Sequence, residues 1–133
     1  MDDQRVRRLG DRDRRGQRGG TLDPTARLAF VACDGNATLL TVDLNTWQVS
    51  GTNPVGPDPD VLAYDPAAHR LYVAAESGVV AVVDLRERRL VVAGTGYLAD
   101  DAHVVAVDPT TGRSYYPVPA SSNGRPGLLE ATP

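Results

Sequence analysis

The stretch VLAYDPAAHRLYVAAESGVVAVVDLRERRLVVAG, residues 61–94, decides the fold. It reads as four short strands separated by turns. Val61–Tyr64 is the first, and Asp65-Pro66-Ala67-Ala68 then reverses the chain. Proline at the second turn position fixes φ near the type I value, and the aspartate before it can accept a backbone N–H two residues on. Leu71–Ala75 is the second strand, rich in β-formers and partly alternating. Glu76-Ser77-Gly78 makes a hairpin turn, Val79–Asp84 is the third strand, and Arg86-Glu87-Arg88 turns into a fourth at Leu90–Ala93. A helical reading fails, because Pro or Gly interrupts every candidate window of 3.6-residue period.

Working outward, the same text recurs. LDPTARLAFVA (Leu22–Ala32), YDPAAHRLYVA (Tyr64–Ala74) and VDPTTGRSYYP (Val107–Pro117) place Asp-Pro pairs at Asp23, Asp65 and Asp108, 42 and 43 residues apart. TVDL at Thr41–Leu44 and VVDL at Val82–Leu85 repeat with Asp43 and Asp84 separated by 41. Gly51 and Gly94 each stand 14 residues before an Asp-Pro. Three landmarks with one period define structural repeats. Four short strands per repeat of about 42 residues, joined by hairpins, make one blade of a β-propeller.

The expected fold is therefore all-β: a β-propeller of about 2.5–3 four-stranded blades, an incomplete ring. The blades span about 21–51, 60–94 and 103–131, within a partial propeller over 21–133. Thr38–Val42 and Trp47–Ser50 supply the third and fourth strands of the first blade. Gly19-Gly20-Thr21-Leu22 stands where its innermost strand belongs, and paired glycines are poor strand formers, so that strand is expected to be missing. The last blade offers Val104–Val107, Ser114–Val118 and Gly127–Ala131, with no fourth strand after them. Residues 1–20, MDDQRVRRLGDRDRRGQRGG, read as a disordered Arg-rich leader, having too few apolar residues to offset the entropy of ordering. A basic arm for RNA, membrane or a partner is the competing reading, and the interspersed aspartates weaken it.

Composition narrows the classes further. The 133 residues give room for one compact domain, with 41% hydrophobic and only 5% aromatic content. The net charge of −3 combines a basic first 20 residues with an acidic remainder, which gives no footprint for nucleic acid. One cysteine, Cys33, excludes an intrachain disulfide and reads as a small buried side chain. No apolar run is long enough for a membrane span, and the N-terminus lacks the apolar region of a signal peptide. As written the chain reads as cytoplasmic, while a lone cysteine, tolerated in reducing and oxidising surroundings alike, leaves the compartment open.

At the Asp-Pro turns followed by Leu28-Ala29-Phe30-Val31-Ala32 and Leu71-Tyr72-Val73-Ala74-Ala75, the chain resembles the YVTN-type β-propeller repeat family, within the quinoprotein amine dehydrogenase-like propellers. Ala stands where that family often has Thr and Asn. The resemblance covers Leu22 to about Ala131. The tail Tyr115-Tyr116-Pro117 with Asn123-Gly124-Arg125-Pro126 is similar to the end of such propellers in bacteria, which implies the C-terminal blades of a longer ring. The family implies a seven- or eight-bladed disc with a central channel rather than one activity. Its relatives include quinoprotein dehydrogenase subunits, lactone hydrolases of the gluconolactonase/regucalcin type, and many periplasmic or surface binding proteins.

Propeller ligands sit at the mouth of the channel lined by innermost strands. The candidate binding residues are therefore Asp58, Asp60, Asp101 and His103, just ahead of two such strands. Asp60 and His103 share one repeat position. A carboxylate and an imidazole from adjacent blades can hold a divalent cation, although a lactonase-like site needs three or four such groups from across the ring. Strand capping is the bland alternative. Asp23, Asp65 and Asp108 recur once per blade, which suits turn-making better than catalysis. His69 falls in a turn and reads as exposed. Gly94-Thr95-Gly96 lacks the third glycine and the helix of a phosphate cradle. No catalytic residue and no cofactor is expected. Two function classes follow: a non-enzymatic binding or scaffold propeller taking a small molecule or protein at the channel mouth, and a fragment of a metal-dependent, lactonase-like hydrolase. The apolar open blades predict self-association of the chain on its own.

Overall fold

The computed structural model describes residues 17–133. Among them, 11 strands form three antiparallel sheets. The first blade holds β1 (Gln17–Asp23), β2 (Leu28–Cys33), β3 (Thr38–Asp43) and β4 (Gln48–Pro54), hydrogen-bonded in chain order. The second holds β5 (Pro59–Asp65), β6 (Arg70–Ala75), β7 (Val79–Arg86) and β8 (Arg89–Tyr97), again in chain order. The third has three strands, β9 (Ala106–Asp108), β10 (Arg113–Val118) and β11 (Gly127–Ala131). Innermost β5 lies against β1 on one side and β9 on the other, so the sheets stack as blades around a common edge. The molecule is an all-β propeller segment with an incomplete ring. No helix among the described residues is long and apolar enough to cross a membrane.

Two strand expectations need correction. The first blade does have its innermost strand: β1 pairs with β2 from Asp23↔Leu28 to Gly20↔Val31 and on to Gln17↔Cys33. The glycines that argued against it are what permit it. A Cβ on Gly19 would lie 2.1 Å from the Asp60 carbonyl oxygen, so only a residue without a side chain can bring β1 this close to β5. Gln17–Gly20 thus belong to the sheet rather than to the leader, and residues 1–16 of that segment lie outside the described residues. In the third blade the inner strand shrinks from the expected Val104–Val107 to Ala106–Asp108. Just before it the chain buries Ala102 and Val105 instead of pairing along β10.

The recurring sequence marks each have a structural counterpart. Asp23 Oδ1 accepts the Ala26 N–H at 2.9 Å, Asp65 Oδ1 accepts those of Ala67 and Ala68, and Asp108 Oδ1 accepts that of Thr110. The fifth residue of each turn, Arg27, His69 or Gly112, takes a positive φ of 57°, 52° or 73°. Gly51 and Gly94 follow one-residue bulges, since β4 carries the extra Ser50 opposite Thr41–Val42 and β8 the extra Ala93 opposite Val82–Val83. Glu87 and Arg88, both with positive φ, form a two-residue hairpin of the primed kind without glycine.

The second blade is apolar on both faces because Ala81 and Val83 point one way and Val80 the other. Leu71, Val73, Ala81 and Val83 pack with Leu28, Phe30, Ala32 and Leu39 of the first blade. Tyr72, Ala74 and Val80 pack with Val105 and Tyr116 of the third. Full burial of a Leu, Val or Phe side chain stabilises by about 1.5–3 kcal/mol, so these two seams are the main source of cohesion between blades.

Candidate functional site

Adjacent antiparallel strands place the start of β5 beside the end of β6, with Pro59 opposite Ala75. That pairing skips Asp60. The register passes from Pro59↔Ala75 directly to Val61↔Ala74, which leaves Asp60 as the extra residue of a β-bulge. Bulges re-aim a side chain out of the ladder. The Asp60 carboxylate reaches the next blade, where its Oδ2 lies 2.7 Å from His103 Nδ1. Their side chains are 22% and 39% exposed, accessible to a ligand yet held by the fold. The expected pair of repeat-equivalent residues is thus brought into direct contact.

Asp58 and Asp101 are not part of that contact. Both are exposed, and both take a positive φ, 55° and 58°, at the same repeat position. Asp58 contributes through its backbone, its carbonyl accepting the Glu76 N–H at 2.8 Å. The next residue, Ser77, donates its hydroxyl to the Pro57 carbonyl at 2.7 Å. These bonds pin the β6–β7 turn against the entry to β5 and bring in Glu76, a residue the sequence reading did not select. One ligand atom each from Asp60, Glu76 and His103 lie within 4.8 Å of one another. The period carries a trace of Glu76, because Asp34 stands 42 residues earlier, also directly after a second strand. Beside the cluster runs an open, largely apolar groove lined by Asp101, His103, Val104, Pro117, Val118 and Pro126.

The opposite end of the blades holds turn chemistry. Tyr64 Oη donates to Asp23 Oδ2 at 2.6 Å, tying the second blade to the first. Burial raises the Asp23 pKa, but hydrogen bonds from the Ala26 N–H and the Tyr64 hydroxyl outweigh it and leave the carboxyl below its ordinary value. Burial and the same carboxylate push the Tyr64 phenol well up. Asp84 is held low by Arg70, whose Nε lies 2.7 Å from Asp84 Oδ1. Arg88 bonds the Ala26 carbonyl and lies 3.4 Å from Asp43 Oδ2. His69 is exposed, with its Nδ1 3.5 Å from Tyr64 Oη. Cys33 is buried.

No family model and no curated protein sequence matches the chain. Solved structures do. The chain is similar to hydrazine synthase of Kuenenia stuttgartiensis (24% identity, TM-score 0.66, covering 76% of this chain and 28% of that one). It is similar to the Cps50 (Swd1) β-propeller domain of Myceliophteria thermophila (13%, 0.67, 87% and 38%). A third is a putative 6-phosphogluconolactonase from Bacteroides fragilis (11%, 0.67, 87% and 39%). The chain spans well under half the length of each. At these identities the likeness establishes the propeller fold alone.

Proposed function

We propose that this chain is a non-enzymatic binding or scaffold segment of a YVTN-type propeller, taking a small molecule or protein at the blade end that carries Asp60 and His103. The observation that carries the reading is the contact between those two side chains. It places a hydrogen-bonding pair, still open to solvent, at the rim of the apolar groove that runs on to Pro117 and Pro126. A concave apolar surface with a few convergent polar groups is the ordinary form of a ligand site. Asp58 and Asp101 add negative charge around it. The Tyr-Val core of Leu71–Ala75 supports the YVTN assignment within the propellers.

Amide chemical-shift mapping of the labelled chain against panels of metabolites and short peptides tests this. The expected result is a shift set confined to residues 58–60, 76, 101–104 and 117–126. Shifts confined to the opposite end, around Asp23 and His69, would overturn it. The second reading, a fragment of a metal-dependent lactonase-like hydrolase, draws on the same cluster. Ring hydrolases need ligands from across the channel, whereas Asp60, Glu76 and His103 come from two neighbouring blades. Lactone turnover abolished by Asp60→Ala or His103→Ala would promote that reading over the first.

Self-association of the chain on its own belongs to the same proposal. The outward face of the first blade presents Leu22 and Val49, 56% and 47% exposed. Such a face suits a second copy closing the ring, since uncovered apolar sheet drives association. Light scattering at micromolar concentration is expected to find oligomers that Leu22→Lys with Val49→Lys dissociates. A monodisperse wild-type monomer would refute it.

A further inference from the structure

We infer that Asp60, Glu76 and His103 form a site for a first-row divalent cation of the zinc class, bridging the second and third blades. The inference rests on the reading that this blade end is the ligand end. Three ligand atoms come from three separate chain segments, the bulge in β5, the β6–β7 turn and the approach to β9, and lie within 4.8 Å of one another. Main-chain constraints set each position. Asp60 is the residue expelled from the ladder, its carbonyl backed by the Gly19 backbone. Glu76 is fixed by its N–H bond to the Asp58 carbonyl. His103 follows Ala102, which is fully buried.

The donor set selects the metal. Two carboxylates and one neutral imidazole present a formal charge of −2, which a divalent cation cancels. Calcium takes oxygen ligands throughout, and an imidazole nitrogen in a set of three disfavours it, while zinc accepts nitrogen and oxygen together. Tetrahedral zinc with bonds of about 2.1 Å needs donors roughly 3.4 Å apart. The Asp60–His103 separation of 2.7 Å therefore opens slightly, and Glu76 closes in through its flexible side chain. Three protein ligands leave a fourth position for an oxygen of a bound molecule, and His103 is the member of the set that also lines the groove. The cation joins the blades and supplies the charge that an anionic or carbonyl-bearing ligand would meet.

The chelator-stripped 133-residue chain, titrated with zinc chloride against a chromophoric competitor, tests the site. One equivalent of zinc is expected to bind. Glu76→Gln, Asp60→Asn and His103→Ala are each expected to weaken it at least about tenfold, with calcium at hundredfold excess failing to compete. His69→Ala removes the other histidine and is expected to change nothing. Glu76 is exposed, so Glu76→Gln keeps the test valid if the other variants fold poorly. No zinc bound above buffer, or affinity retained in Asp60→Asn/His103→Ala, overturns the inference. The shift mapping described above, run on zinc-free protein, decides the binding reading separately.

Discussion

The seam between the first and second blades and the seam between the second and third use the same repeat positions and bury different groups. The first seals Leu28, Phe30, Leu39, Leu71, Val73 and Val83 at 1% exposure or less, with Phe30 and Tyr64 rings 5.6 Å apart. The second is smaller and aromatic in another way, with Tyr72 and Tyr116 around Ala74 and Val105. Their carboxylate ties sit at opposite ends. Tyr64 bonds Asp23 at the Asp-Pro end of the first seam, while Val107 stands at the equivalent repeat position in the third blade. The second seam has its carboxylate tie at the other end, between Asp60 and His103, while at its Asp-Pro end the Tyr72 hydroxyl donates a longer bond, 3.4 Å, to the Gly112 carbonyl. A seam closed by apolar shape leaves little for a ligand. The one with less apolar closure keeps titratable side chains at an accessible rim.

The sharpest way to break this contrast is Phe30→Ala, expected to cost about 3–5 kcal/mol in chemical denaturation because a fully buried ring leaves a cavity. A loss near 1 kcal/mol would mean that the first seam is not the stability centre. A finer comparison uses one strand. Val83 is fully buried in the first seam and Val80, 8% exposed, faces the second. Val83→Ala is expected to cost about 2 kcal/mol and Val80→Ala about half that. Equal losses would erase the asymmetry while holding β-propensity constant.

Acid should read the ties. Asp23 and Asp84 have folded pKa values below the ordinary carboxylate range. Their contribution is therefore fully present above the unfolded value of about 3.9 and is lost as pH falls through the depressed folded value. Denaturation midpoints measured from pH 6 to pH 2 should fall below about pH 4. Asp84→Asn is expected to flatten that fall, and an unchanged slope would show that the Arg70 pair contributes nothing. The smallest effect belongs to the second seam's tie: His103→Ala should cost less than about 1 kcal/mol, since the pair is partly solvated. A larger loss would make the pair a structural clamp.

The blades were legible because Asp-Pro turns and Val-Asp strands repeat at one period, and period-2 burial follows from strand geometry alone. The first inner strand was misread for a physical reason. Intrinsic propensity penalises Gly19-Gly20, whereas the structure uses the missing side chain at Gly19 for contact with Asp60, and sequence shows no neighbours. Asp60 and His103 could be paired from the sequence because they share a repeat position, and the structure puts them in contact. Glu76 was missed because it was read as turn material, and only the Asp58 carbonyl reveals what the turn is pinned to. The Glu87–Arg88 hairpin likewise carries no Asn-Gly signal to announce its positive φ angles.

The strictly sequential strand order has a kinetic consequence. Every sheet pairs only neighbours in the chain, so hydrogen-bond partners are close in sequence and each blade can form early at little loop-closure cost. Docking is another matter for the middle blade, which has two apolar faces to cover and gains from one neighbour at a time, as a nearest-neighbour array does. On a ribosome the first blade emerges before the second, and the larger seam closes while the third is still being made. Amide exchange should then be graded, slowest in β6 and β7, faster in β10, and fastest along β11.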